Sequence, residues 1–535
     1  MSGQEPQAST RASNAQSTKA RSSRSFQRQA QALRRKARRE RSQLPRWFDF
    51  WDRIGPALRA VPRAAWLCAA IAVLNAACWS LLMPPFQVTD ETTHFAYVQQ
   101  LAENDALPSS SDQTFSQEQE AVLRDLRQYE VRQSPETHTI ATAAEQQQLQ
   151  EDLDRKLSRH GEGGVGGSYN DPPLYYALQT IPYALASGGT LLDQLETMRL
   201  LSALMAALTA LFAFLFVREA LPAAPWAWTV GGLSVALAPL LGFVGGAVTP
   251  DAMLAAVAAA CFYLLARAFR RGLTPGLAIA IGALLAVGFL TKDNFIGLAP
   301  GIVLGLIVLS VRAARVHGAS SYRWLAGALG VALSPVIVYV FVNLLSGKNA
   351  LGVVSNVLKL KGAGGSLFAK LSYVWQYYLP RFPGMTNYFP GVSAPRDLWF
   401  DHGVGYYGWV DTAFPTWVQR AALVPALALV LLCGWAIVGE RVALRRRLGE
   451  ALVYATMALG LLALIGLTSY IDRHEGVFAS PRYLLPLIPL LGLALALAAR
   501  GAGRRAGLAV GAAIVMLFLA HDVFSQLLVV GRYYG

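Results

Sequence analysis

Residues 66–83 read WLCAAIAVLNAACWSLLM, and residues 84–97 continue PPFQVTDETTHFAY. The first stretch carries no charge and is about as long as the ~17–25 residues that cross a ~30 Å bilayer core as a helix. The second breaks at two prolines and turns polar at once, which sets a Thr-Asp-Glu-Thr-Thr-His segment against one membrane surface. A span that delivers a carboxylate pair to an interface decides how the remaining chain is read.

Working outward, similar apolar runs recur. Spans are expected at 64–83, 198–217, 226–248, 252–266, 275–290, 295–311, 324–346, 419–439, 450–470, 483–499 and 507–525, hence an all-α polytopic membrane protein with about eleven transmembrane helices. The composition agrees: 54% of the 535 residues are hydrophobic, 15% are charged and mean hydropathy is +0.36, outside the balance of a soluble domain. Cys68, Cys78, Cys261 and Cys433 all fall in apolar runs, so neither a disulfide framework nor metal spacing is expected.

The net charge of +14 is concentrated, not spread: residues 1–63 hold 15 Lys/Arg against four acids. That stretch is too long and polar for a signal peptide, and reads as a disordered cytoplasmic tail lying on anionic lipid, with nucleic acid not expected as a partner. With this tail inside, the short inner loops carry 14 Lys/Arg and the short outer loops three. This bias satisfies the positive-inside rule and places the C-terminus outside, in a plasma membrane. Two long segments then lie outside, 84–197 and 347–417. In the first, 116–130 and 143–159 read as exposed helices; 173–186, with Tyr175, Tyr176, Tyr183 and two prolines, reads as a membrane-surface helix, the alternative being a twelfth span that would invert every later loop.

Unusual polar residues gather at outer ends of spans: Asp90, Glu91 and His94, then Asp251, then Lys292 and Asp293, then Arg482. A transporter or flippase of lipid-linked glycans would place such groups near midplane, so this distribution favours interfacial chemistry, with a non-catalytic membrane scaffold as the remaining alternative. Thr89 or Asp90 could cap a helix. Otherwise Asp90 is a base, or Asp90 and Glu91 hold a divalent cation such as Mg or Mn. His94, one turn after Asp90, suits a hydrogen-bond role. Lys292 either pairs with Asp293 or, with Arg482, captures a phosphate; Arg482 otherwise snorkels to headgroups.

The chain resembles the GT-C superfamily of polyprenyl-phosphate-sugar glycosyltransferases, in its bacterial predicted-membrane-protein branch related to protein mannosyltransferases and aminoarabinose transferases. The resemblance rests on 85–97 with its Asp-Glu pair, Asp171-Pro172-Pro173-Leu174-Tyr175-Tyr176, Arg199-Leu200-Leu201-Ser202, Thr249-Pro250-Asp251, Leu290-Thr291-Lys292, Gly408-Trp409-Val410-Asp411, and Pro481-Arg482-Tyr483. It implies transfer of a hexose or pentose from a polyprenyl-phosphate donor to a glycan, lipid or protein acceptor at the outer face, in cell-envelope biosynthesis. It implies Asp90 as base with Glu91 beside it, and His94, Asp171, Tyr175, Arg199, Asp251, Lys292, Arg482 and Tyr483 as substrate contacts. The pattern departs in having Asn170-Asp171 where some relatives carry a base before the prolines, and in lacking a large soluble domain after the last span. Acceptor recognition then falls to the outer loops, including the aromatic stretch 373–409.

The charge bias makes a direct prediction. An impermeant thiol reagent applied to intact cells should label Asp105→Cys and His402→Cys but not Arg446→Cys; labelling at 446 would overturn the topology.

Overall fold

The computed structural model describes residues 55, 58–109, 113–134, 136–138, 142–164, 166–345, 364–474 and 480–535. Nearly all of the expected tail, 1–63, and the start of the second outer loop lie outside the described residues. Residues Ala64–Gly535 fold as one unit. Among the described residues its regular structure is helical apart from one two-residue strand pair, β1 (Tyr406–Tyr407) with β2 (Thr412–Ala413).

The helices, in order, are α1 (Arg63–Leu82), α2 (Glu91–Asn104), α3 (Gln117–Asp125), α4 (Gln128–Gln133), α5 (Ala143–Asp154), α6 (Leu174–Leu185), α7 (Leu191–Ala220), α8 (Pro225–Ala236), α9 (Pro239–Gly245), α10 (Pro250–Arg271), α11 (Pro275–Thr291), α12 (Ala299–His317), α13 (Tyr322–Leu345), α14 (Leu367–Tyr378), α15 (Thr416–Gly439), α16 (Arg441–Arg446), α17 (Leu448–Asp472), α18 (Ile488–Gly501) and α19 (Gly503–Tyr533). A 3₁₀ turn, Pro481–Leu487, leads into α18. Each expected span has its helix. Among the described residues nine are long and apolar enough to cross a membrane, α8 and α9 together meet the same length and composition but are bent by 53° at their break, and α11 is a shorter apolar helix. The bend has a local cause: Pro239 cannot donate to the preceding turn, and Asn75 of α1 supplies its side-chain amide to the Ala236 carbonyl at 3.2 Å. At 12 residues α6 is about 18 Å long, too short to span a ~30 Å core, so it is not a twelfth span.

The bundle centre is the pairing of α7 with α10. Ala203, Ala206, Ala210 and Ala213 recur on one face of α7, Ala252, Ala255, Ala258 and Ala259 on α10, and all are fully buried. Small side chains let two backbones approach closely, which is how helices gain packing energy where lipid removes the hydrophobic drive. Farther out the pattern inverts. Leu67, Leu74 and Leu81 of α1 and Ile337, Val338 and Phe341 of α13 are exposed, as a lipid-facing surface requires.

The first outer segment is fastened by a buried ion pair. All five donors of Arg199 on α7 are used: Nε to Glu91 Oε1 at 2.8 Å, Nη2 to Glu91 Oε2 at 2.6 Å and to Pro84 O, and Nη1 to Ser80 O and Met83 O. Glu91 also accepts from Phe86 N at 3.1 Å and Val248 N at 3.0 Å. Both side chains are wholly buried. Removing one partner strands the other charge without water, a loss of about 3–5 kcal/mol. Glu91→Gln should therefore lower the thermal unfolding midpoint in detergent sharply, and Arg199→Met in the same chain should restore part of it. A wild-type midpoint in the single variant would refute this anchoring role.

Candidate active site

The αL conformation of Asp90 is where the site begins. Asp90 occupies the N-cap position of α2 with φ 66°, and its side chain makes no capping bond. Positive φ costs a non-glycine residue about 1 kcal/mol or more, and such strain is tolerated where surrounding contacts fix it. Phe86 (φ 62°) and Val410 (φ 65°) share the left-handed region, the latter β-branched. The three are tied together: Thr89 Oγ1 donates to Gly408 O at 2.8 Å and Trp409 Nε1 donates to Phe86 O at 3.1 Å. The strand-pair loop thus clamps the first outer motif and turns the Asp90 carboxylate outward.

That carboxylate meets Arg482. Nη2 of Arg482 pairs with Asp90 Oδ2 and Nη1 donates to Thr89 O at 3.1 Å. Behind them Lys292 Nζ donates to Asp251 Oδ1 at 2.8 Å, and Asp251 Oδ2 stands 3.8 Å from Arg482 Nε, which is buried without a hydrogen bond. Two cations and two carboxylates from α2, α10, the α11–α12 turn and the turn before α18 form one alternating cluster. Tyr483 lies beside it, its ring centre 5.4 Å from Arg482 Cζ and 5.8 Å from Lys292 Nζ. Burial pushes the Asp90 pKa up, but the Arg482 guanidinium outweighs it and holds the carboxyl below its ordinary value. Burial would lower Lys292, and Asp251 and Asp171 outweigh it.

A second chain of contacts adjoins the cluster. Tyr176 donates its hydroxyl to Asp171 Oδ2 at 2.9 Å and lies 2.8 Å from His94 Nδ1. One hydroxyl proton serves one acceptor, so His94 carries its proton on Nδ1 and donates to Tyr176, leaving Nε2 as an acceptor. Tyr97 stacks on Tyr176 at 3.8 Å and locks the ring. Burial lowers His94 to about 3, keeping it neutral, and raises Asp171 to about 6 against the pull of Lys292 and the Tyr176 hydrogen bond.

Asp90, His94, Asp171, Lys292, Arg482 and Tyr483 all line one cavity of about 550 Å³. Asp251 supports it from behind. The other named residues stand apart: Glu91 and Arg199 form the anchor below, and Tyr175 is buried with its hydroxyl 2.9 Å from Ser202 Oγ and accepting from Gln179. The Asp90–Glu91 pair does not fit a cation, since every Glu91 contact is to a donor and Asp90 faces Arg482. Among the described residues no cluster of three or more His, Cys, Asp or Glu could hold a metal. The cap reading of Asp90 is not what the side chain does here.

A family model described as "Predicted membrane protein (DUF2142)" matches residues 73–491, a range that contains every one of these positions. The chain belongs to that family. No curated protein matches. Among solved structures the chain is similar to ArnT from Cupriavidus metallidurans bound to undecaprenyl phosphate, at 14% identity and TM-score 0.38 over 81% of this chain and 59% of that one. It is also similar to the Archaeoglobus fulgidus oligosaccharyltransferase in the apo form, at 13% identity and TM-score 0.42 over 88% of this chain and 56% of that one. The chain therefore spans less than two thirds of the length of either.

Within this family member, the cavity has walls that no sequence motif announced: Gln128, Tyr129 and Arg132 of α4, and Thr468, Ser469 and Asp472 of α17. No local pattern marks them; they arrive by tertiary packing. Trp409, quoted as part of a motif, lines the cavity with the Arg132 guanidinium 3.9 Å from its ring centre. Most of the aromatic stretch has another task. Tyr373, Tyr377, Phe389 and Trp399 pack on one another, and only Tyr377 among them reaches the cavity.

Asp171 gives a pH prediction. A carboxyl whose folded pKa is raised to about 6 binds a proton that the unfolded chain releases near its ordinary value. Its stabilising effect is therefore full at low pH and is lost as pH rises through roughly 4 to 6. Asp171→Asn should remove that part of the pH dependence of thermal stability, and an unchanged profile would disprove the assignment.

Proposed function

We propose that this chain is a membrane glycosyltransferase that moves a hexose or pentose from a polyprenyl-phosphate donor to an extracytoplasmic acceptor, at the outer face of the plasma membrane, with its N-terminus cytoplasmic and C-terminus outside. The observation that carries the reading is the convergence of a strained, outward-turned carboxylate with two cations in one interfacial cavity.

The chemistry uses each part. Asp90 takes the proton of the acceptor hydroxyl as its oxygen attacks the anomeric carbon; the bond from that carbon to the phosphate oxygen breaks, and polyprenyl phosphate leaves with the electron pair. Lys292 and Arg482 receive the charge that develops on it. Arg482 Nε makes no hydrogen bond, with Asp251 Oδ2 3.8 Å away, and the planar guanidinium suits bidentate contact with a phosphate. Phosphate binding also draws Arg482 from Asp90, which raises the basicity of the carboxylate when donor is present. The resemblance of the outer-end motifs to polyprenyl-phosphate-dependent transferases supports the same assignment. No step runs through a metal.

Asp90→Asn keeps the shape and the tolerance for positive φ, and removes the proton acceptor. It should retain near-normal thermal stability while transfer falls about 10²-fold or more. Arg482→Ala and Lys292→Ala should instead weaken donor binding, by about 1.5–3 kcal/mol for each charged hydrogen bond removed. Binding assays with polyprenyl phosphate and transfer assays on purified variants separate the two classes; full transfer by Asp90→Asn would remove it from the mechanism.

A further inference from the structure

The cavity does not end at its charged floor. Phe115, Gln128 and Tyr129 form part of its wall and also line a second hollow of about 340 Å³, rimmed by Glu120, Arg124, Arg127 and Glu130. The two spaces share these three residues and so adjoin one another, together a cleft with Asp90 in its first hollow and the surface of α3 and α4 in its second. Tyr129 is 55% exposed and Phe115 is half-buried, so both offer ring surface along it. Gln128 is 1% exposed, yet its Nε2 has no hydrogen-bond partner. A buried, unpaired amide costs stability unless a ligand completes it.

We infer that this cleft is an extended acceptor subsite for a carbohydrate chain of several residues. The inference rests on the proposed transferase reading and names the acceptor class for it. A sugar ring has an apolar C–H face and hydroxyl edges. Tyr129 and Phe115 provide apolar, polarisable ring faces for the one, and the Gln128 amide a donor for the other. His94 Nε2 accepts a hydroxyl at the deep end, beside Asp90. The second hollow sets Leu123 and the two rings among the charged side chains of Glu120, Arg124, Arg127 and Glu130, a mixture that suits the apolar faces and hydroxyl edges of a sugar chain better than an acyl chain. An extended peptide would use main-chain pairing, and among the described residues the only strand pair is two residues long.

The test uses the purified full-length chain in detergent. Linear hexasaccharides of glucose, mannose, galactose and arabinose, their monosaccharides, and a Ser/Thr-rich hexapeptide are compared by saturation-transfer NMR and tryptophan fluorescence. At least one hexasaccharide should bind about tenfold or more tighter than its monosaccharide. Tyr129→Ala and Gln128→Leu should each cut that advantage to about threefold or less, with the thermal unfolding midpoint in detergent near that of the unaltered chain. The inference is overturned if no sugar shows a length advantage, if the advantage survives both variants, or if the hexapeptide is the ligand whose binding both variants abolish. Polyprenyl-phosphate binding in Arg482→Ala reports separately on the transferase reading, so either can fail alone.

Discussion

The segment that follows α1 hangs on the Glu91–Arg199 pair. A guanidinium with five donors and a carboxylate with four accepted bonds leave no polar atom of the pair unmatched, so the cost of taking both charges out of water is offset inside one small volume. What the pair joins is more telling than its strength. It takes the carbonyls that end α1, the turn at Phe86, the start of α2, the middle of the outer half of α7, and the amide of Val248 just before α10. With those five pieces fixed, Asp90, the neighbour of Glu91 in sequence, can be held in a strained backbone conformation. Adjacent acids thus divide the work: one is spent entirely on architecture, the other is kept for the cavity.

The cluster of two carboxylates and two cations at the cavity floor is charge-balanced. Asp90 with Arg482 and Asp251 with Lys292 neutralise one another, which is the arrangement that permits charged groups to sit in a half-buried site before any substrate arrives. An anion entering such a site does not meet bare cations; it exchanges partners with carboxylates. Beside this cluster the Asp171–Tyr176–His94 chain provides a fixed polarity of another kind, a neutral imidazole whose open nitrogen accepts a hydrogen bond and repels an anion.

The spans were legible because lipid imposes a simple rule on sequence: uncharged runs of a set length, with Arg clustered on one side. The helix ends carrying Asp251, Lys292 and Arg482 were legible for the same reason, since a charge against an apolar span on the sparse side stands out. Glu91, Arg199 and Tyr175 could not be told from cavity residues, because a motif records which side chains are needed and not which way they turn. The walls from α4 and α17 were invisible: Gln128 sits on a short polar helix and Ser469 near the end of an apolar span, and no local pattern says that packing brings both to one cavity.

α15 lies at the opposite extreme from the anchored outer motif. Only 6% of its apolar stretch is buried in protein, and Trp417, Val424, Leu427, Val430, Leu431 and Trp435 all face outward. It meets the bundle along a narrow seam with α18, where Gly501 lets the Leu432 carbonyl come close. Hydrocarbon therefore supplies most of the solvation of this helix, and the surrounding bilayer or detergent belt sets its tilt and hold. One fold thus joins a motif held by its own polar bonds to a peripheral helix held mainly by its solvent, so a change of detergent bears first on α15.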